Sequence, residues 1–165
     1  MTEPKCSSIS AFNSPLETGL RSLYILTANV ENTFDLQELL AFDHLVVHTG
    51  DFENAPISLH PSNPSRNGEL VIRRSLVEQG LLLMESKGLI KRLSTTKGFE
   101  YQAEEFAVVL VEQFTSPYLT GLRERSNWVV EHYFSLGSDV FRSVFDRAFD
   151  RWSSEFQFKT LGFEP

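Results

Sequence analysis

Two capped helices, a third that runs to a glycine, and two short strands close behind it predict a mainly α protein. The order is that of an α+β winged-helix fold: three helices plus a β-hairpin wing, followed by C-terminal helices. The cap signals lie in "NSPLETGLRSLYILTANV" and "TFDLQELLAFDHLVVHTG", and the hairpin signal in "LIKRLSTTKGFEYQA".

In the first segment Ser14 is placed to cap a helix. Pro15 takes the first helical position, where its missing N–H costs nothing, and Glu17 completes the S-x-x-E spacing of a capping box. Leu16, Leu20, Leu23 and Val30 follow the helical period. In the second segment Asp35 and Glu38 repeat the cap spacing, and Leu36, Leu39, Leu40, Val46 and Val47 supply a wide apolar face. Gly50 stands where a left-handed C-terminal cap is expected.

Residues 51–68, "DFENAPISLHPSNPSRNG", predict a long loop, and loops of that length in compact domains are commonly functional. The third helix, "GELVIRRSLVEQGLLLMESKG", ends near Gly88. Leu89–Leu93 and Phe99–Ala103 predict strands joined around Thr95–Gly98. Helices over Glu104–Phe114, Tyr118–Phe134 and Ser138–Phe156 complete the chain. The expected division is a flexible N-terminal tail (1–12), a winged-helix-like domain (13–103), a C-terminal helical subdomain (104–157) and a tail (158–165).

Composition narrows the function. At 165 residues, 41% apolar and 22% charged, the chain can bury a self-sufficient core and resembles soluble globular proteins. Its single cysteine, Cys6, cannot form an internal disulfide, and "MTEPKCSSIS" holds no apolar stretch of signal-peptide length. The apolar runs "GLLLM" and "AVVLV" are far too short to span a bilayer, so a cytoplasmic location without membrane contact is expected. A formal charge of -7 argues against sequence-independent nucleic-acid binding. The chain carries no G-x-x-x-x-G-K-[ST], G-x-S-x-G or H-E-x-x-H, so neither an enzyme nor a cofactor is expected.

Four groups of residues are candidates for a site. The third helix carries Glu69, Arg73, Arg74, Glu78, Glu85 and Lys87, whose charges cancel. Arg74, Glu78 and Glu85 fall within about 40° of one another around its axis. A structural helix is the favoured reading, and groove readout of DNA the lesser one. On the hairpin, Lys87, Lys91, Arg92 and Lys97 face one acid, Glu100. They are either solvated charges or a small basic lip for a phosphate backbone or an acidic partner. His48, Asp51 and His60 could form a 2-His-1-carboxylate metal site, but anchoring of the loop is the favoured role for the histidines. Phe141, Phe145, Phe149, Trp152 and Phe156, spaced by 4, 4, 3 and 4, form one aromatic stripe that is either core or a protein interface.

Several stretches together resemble one known family: "FNSPLETGLRSLYILT", "FDLQELLAFDHLVVHTGD", "SLHP", "GELVIRRSLVEQGLLLMESKGLI" and "SPYLTGLRERSNWVVEHY". They are similar to the middle component, second type, of bacterial ABC-three-component systems, over residues 12–156. That resemblance implies a biological-conflict operon, similar in layout to Lamassu-type anti-phage and anti-plasmid systems. It implies an SMC/Rad50-like ATPase subunit and an effector subunit as partners, with DNA met only within the complex. The middle component is then a non-catalytic adaptor that couples sensing of foreign DNA to the effector. The competing reading from the residues is a winged-helix DNA-binding regulator that uses the basic wing.

Overall fold

In the computed structural model residues 14–52, 54–60 and 69–136 are described, and the aromatic stripe of 141–156 lies outside them. The element order is α1 (Pro15–Ala28), β1 (Phe34–Asp35), α2 (Leu36–Val47), a 3-10 turn (Thr49–Asp51), α3 (Glu69–Ser86), β2 (Ile90–Thr95), β3 (Gly98–Ala103), α4 (Glu105–Glu112) and α5 (Pro117–Leu136). The fold is mainly helical, with one small antiparallel sheet in the order β1-β3-β2.

Both N-caps form where the spacing puts them, but at α1 the Glu17 carboxylate turns to Arg21 and Tyr118 rather than closing the expected box. The Ser14 hydroxyl accepts from the Glu17 N–H at 3.2 Å. At α2 the box is complete: the Asp35 carboxylate accepts from the Glu38 N–H at 2.8 Å, and Glu38 accepts from the Asp35 N–H at 2.9 Å. Gly50 corrects an expectation. It is not a left-handed cap, because α2 already ends at Val47 and Gly50 sits in the 3-10 turn, its N–H bonded to the Ser58 hydroxyl. The left-handed cap belongs to Gly88 (φ 69°), where the Gly88 N–H reaches the Glu85 carbonyl and the Leu89 N–H the Met84 carbonyl. That is the Schellman bonding pattern, and it turns the chain from α3 into β2.

The short strand β1 was not anticipated. Phe34 pairs with Tyr101 and Asp35 with Glu100, so the residue that caps α2 is also stitched to the hairpin. Phe34 then sits edge-on to Phe42 (4.9 Å between centroids) and to Tyr133 of α5 (5.9 Å). The Tyr133 hydroxyl donates to Glu38 at 2.6 Å, so one carboxylate completes the cap of α2 and holds α5 against it.

A single apolar cluster joins these elements. Leu23, Ile25 and Leu26 of α1 meet Leu39, Phe42 and Val46 of α2 and Val77 and Leu81 of α3. Ala107 and Val111 of α4 and Leu122, Val129 and Val130 of α5 lie in the same cluster. The closest crossing is that of α1 over α3, at Gly19 and Gly80. A Cβ on Gly80 would lie 2.5 Å from the Gly19 nitrogen, and one on Gly19 would lie 2.8 Å from the Gly80 carbonyl oxygen. Backbone meets backbone there, so no side-chain rotation could relieve an added methyl.

Gly80→Ala should therefore force the two helices apart. The expected loss is about 1–3 kcal/mol of folding stability despite alanine's better helix propensity. Urea unfolding of the two chains measures it, and an unchanged or raised midpoint would contradict the packing described.

Candidate functional site

A buried ion-pair network lies where α1, α2 and α3 meet. Asp43 of α2 has no exposed surface, and its burial alone would favour the protonated acid. Two guanidiniums outweigh that. Arg21 of α1 approaches through Nε to Oδ1 at 2.6 Å and through Nη2 to Oδ2 at 3.3 Å. Arg73 of α3 reaches Oδ2 through Nη1 at 2.7 Å. Against the burial, they hold the Asp43 carboxyl below its ordinary value of 3.8. Arg21 is itself 2% exposed; burial opposes its charge, but the facing carboxylate of Asp43 more than compensates and raises its pKa.

The network continues outward from Arg21. Its Nη1 lies 3.5 Å from Glu17, one turn earlier on α1. Glu17 accepts from the Tyr118 hydroxyl at 3.1 Å, and Tyr118 lies 2.9 Å from His60 Nε2. Since Tyr118 gives its proton to Glu17, the proton of that last bond belongs to His60 Nε2, with the Tyr118 oxygen accepting. Burial, then the Glu17 charge, pushes the Tyr118 hydroxyl up to about 12, so it stays protonated at neutral pH. Burial, then the Arg21 charge, pushes His60 down from 6.5 to about 4, so it stays neutral. One chain of polar contacts thus runs from α3 through α2 and α1 to α5 and the loop.

The loop before α3 is fastened at several points. The N–H groups of Leu59 and His60 both reach the Val47 carbonyl at 3.1 Å, at the end of α2. The Thr49 hydroxyl donates to the Pro56 carbonyl at 2.8 Å, and Arg125 Nε of α5 donates to the Ile57 carbonyl at 2.7 Å. Phe52 lies 6.1 Å from the Trp128 ring. Residues 49–52 and 54–60 are thus fastened to the end of α2 and to α5.

Of the proposed metal set, His48 and His60 come together with ring centroids 6.3 Å apart, and the Asp51 side chain lies outside the described residues. His60 Nε2 is engaged by Tyr118, and His48 packs against His44 at 4.6 Å. The cationic residues of the hairpin do not share one surface. Arg92 lies opposite Tyr101, stacks over Phe99 at 4.8 Å and pairs with Glu85 of α3 at 3.7 Å. Strand alternation sends neighbouring Lys91 to the other face. Lys87 sits just after α3 and Lys97 in the hairpin turn, both exposed. Glu100, the acid expected to face them, accepts from the Thr33 hydroxyl at 2.5 Å. On α3, Arg74 pairs with Glu78 at 3.3 Å on the exposed side, while Arg73 turns inward.

Sequence reasoning missed Arg21, Asp43 and Tyr118. A signal was present for Asp43: it lies four residues after Leu39 and three before Val46, on the buried stripe of α2. A carboxylate on that stripe demands a cationic partner, although nothing local says which arginine supplies it.

His60 makes folding pH-dependent in a definite direction. Between pH 6.5 and about 4 the unfolded chain binds a proton there that the folded chain refuses, so stability falls as pH falls through that window. Asp43, held below 3.8, loses its contribution only at lower pH. Glu17, whose carboxyl burial pushes up, acts in the opposite sense, so the comparison is with a variant. The stability difference between about pH 7 and about pH 4.5 should shrink in His60→Gln relative to the parent chain, read from urea midpoints. Equal pH slopes would contradict the assignment.

No curated protein and no solved structure matches the chain. The family model described as ABC-three component (ABC-3C) system Middle Component 2 matches residues 11–155, and the chain therefore belongs to that family.

Proposed function

We propose that the chain is a non-catalytic adaptor of an ABC-three-component defence system. It would sit on an SMC/Rad50-like ATPase, as in Lamassu-type systems, and couple sensing of foreign DNA to an effector subunit. The observation that carries this is the family match over residues 11–155, which makes the chain one component among several. The polar cluster gives it support. Asp43, Arg21, Glu17, Tyr118 and His60 are bonded to one another across helices, the arrangement of a structural tie rather than of groups aimed at a substrate.

A winged-helix identity for the first three helices and the hairpin is part of the proposal. It is supported by the order helix, strand, helix, helix, hairpin, with β1 beside β3. In that frame α3 occupies the position of a DNA-reading helix. Its outward side chains include Ile72 and Leu82, both more than 60% exposed, together with the Arg74–Glu78 pair. Phosphate contact favours uncompensated cations, whereas this surface suits protein better. Among the described residues, no helix is long and apolar enough to cross a membrane.

Co-expression with the ATPase and effector subunits of its own system tests the reading. The tagged full chain should co-purify with the ATPase and show little affinity for duplex DNA alone at about 0.15 M salt. Tight duplex binding by the isolated chain, abolished by reversing Lys91, Arg92 and Lys97 to Glu, would instead establish the DNA-binding regulator.

A further inference from the structure

The sheet order β1-β3-β2 leaves β2 at an edge, and among the described residues no strand lies on its other side. The direction of its backbone groups follows from the ladder. The Glu104 N–H bonds to the Leu89 carbonyl at 2.9 Å, which continues the register of Ile90 with Ala103. Antiparallel bonding alternates along a strand, so residues 89, 91, 93 and 95 bond inward to β3. Ile90, Arg92 and Ser94 therefore turn their N–H and carbonyl groups to the open edge. Six residues span about 20 Å, enough to hold a short added strand.

We propose that this edge of β2 takes up an extended, acidic segment of a partner subunit as a fourth strand. The charges point to that occupant. Lys91 lies on one face of the sheet, Arg92 on the other, and Lys97 at the turn. The same alternation that prevents these cations from forming one lip suits an added strand, whose side chains also alternate between the faces. Acidic side chains on the incoming strand would meet Lys91 on one face and, on the other, Arg92, whose present partner is Glu85 of α3. The half-exposed ring of Phe99, beneath Arg92, offers an apolar neighbour on that second face. A second copy of this chain is disfavoured, because pairing β2 with itself sets these cations against one another.

The proposal rests on the adaptor reading, and its test separates the two. Ser94→Pro removes an outward N–H without touching the bonds to β3, since proline is tolerated at an edge facing solvent. Tagged wild-type, Ser94→Pro and Lys91→Glu/Lys97→Glu full chains are each co-expressed with the ATPase and effector subunits of the same system. The wild type should capture one of these subunits, and both variants should weaken capture by about tenfold or more while keeping the melting temperature. Hydrogen exchange on the wild-type complex should show new protection at the amides of Ile90, Arg92 and Ser94, a readout that stands even if the proline variant folds poorly. If capture and those amides are unchanged, the edge proposal fails, the lysines are ordinary guards of an open edge, and the adaptor reading survives. A wild type that captures neither subunit overturns both. Capture of duplex DNA that the lysine reversals abolish and Ser94→Pro spares would also overturn the proposal, since phosphates need no strand amides.

Discussion

A charged carboxylate with no exposed surface constrains everything around it. Asp43 cannot stay ionised inside the apolar cluster unless cations are delivered to both of its oxygens, and the fold delivers one arginine from α1 and one from α3. Such a buried network does not have to exceed an apolar core in net stability, because three groups lose their water to form it. Its effect is on which arrangement is allowed. A rotation of any of the three helices would strand a buried charge, and breaking such a set costs about 3–5 kcal/mol. The glycine pair complements this. Gly19 and Gly80 let α1 and α3 approach to backbone contact, close enough for both arginines to reach one carboxylate.

The loop after α2 is tied to the same network. Its last described residue, His60, bonds to Tyr118, which bonds to the Glu17 that flanks Arg21. A histidine kept neutral and a phenol kept protonated can bridge loop and helix without adding charge near Arg21. This gives a physical account of the histidines of the stretch between Val46 and Pro64: His60 is turned to Tyr118 of α5, and His48 packs against His44 of α2. Among the described residues, apolar side chains turned outward include Ile72 and Leu82 of α3, Ile57 of the loop, and Phe106 and Val109 of α4, and the edge of β2 is open as well. The family match makes the chain one component of a multi-component system.

The helices and the hairpin were legible because their signals are local. Ser14 and Asp35 sit in cap positions, and the residues from Leu89 to Ala103 carry the strand pattern. β1 was not legible, since two residues carry no alternation and Phe34 becomes a strand only by pairing with Tyr101. Gly50 was misread because a glycine after a helix has more than one use; here a Cβ would strike the Ser58 hydroxyl at 2.8 Å. The ion-pair network joins residues 22 and 30 positions apart, a separation at which sequence periodicity is silent. The hairpin cations were legible as residues but not as a surface. Their division between two faces required the register, which fixes Arg92 opposite Tyr101.

The central claim is that Asp43 and the loop anchor belong to one network. A double-mutant cycle on folding stability with Asp43→Asn and Tyr118→Phe tests it most directly. Arg21, bonded to Asp43, and Glu17, bonded to Tyr118, link the two side chains. A single network predicts a coupling energy above about 0.5 kcal/mol, whereas additivity within about 0.3 kcal/mol would show the loop anchor to be independent of the buried carboxylate.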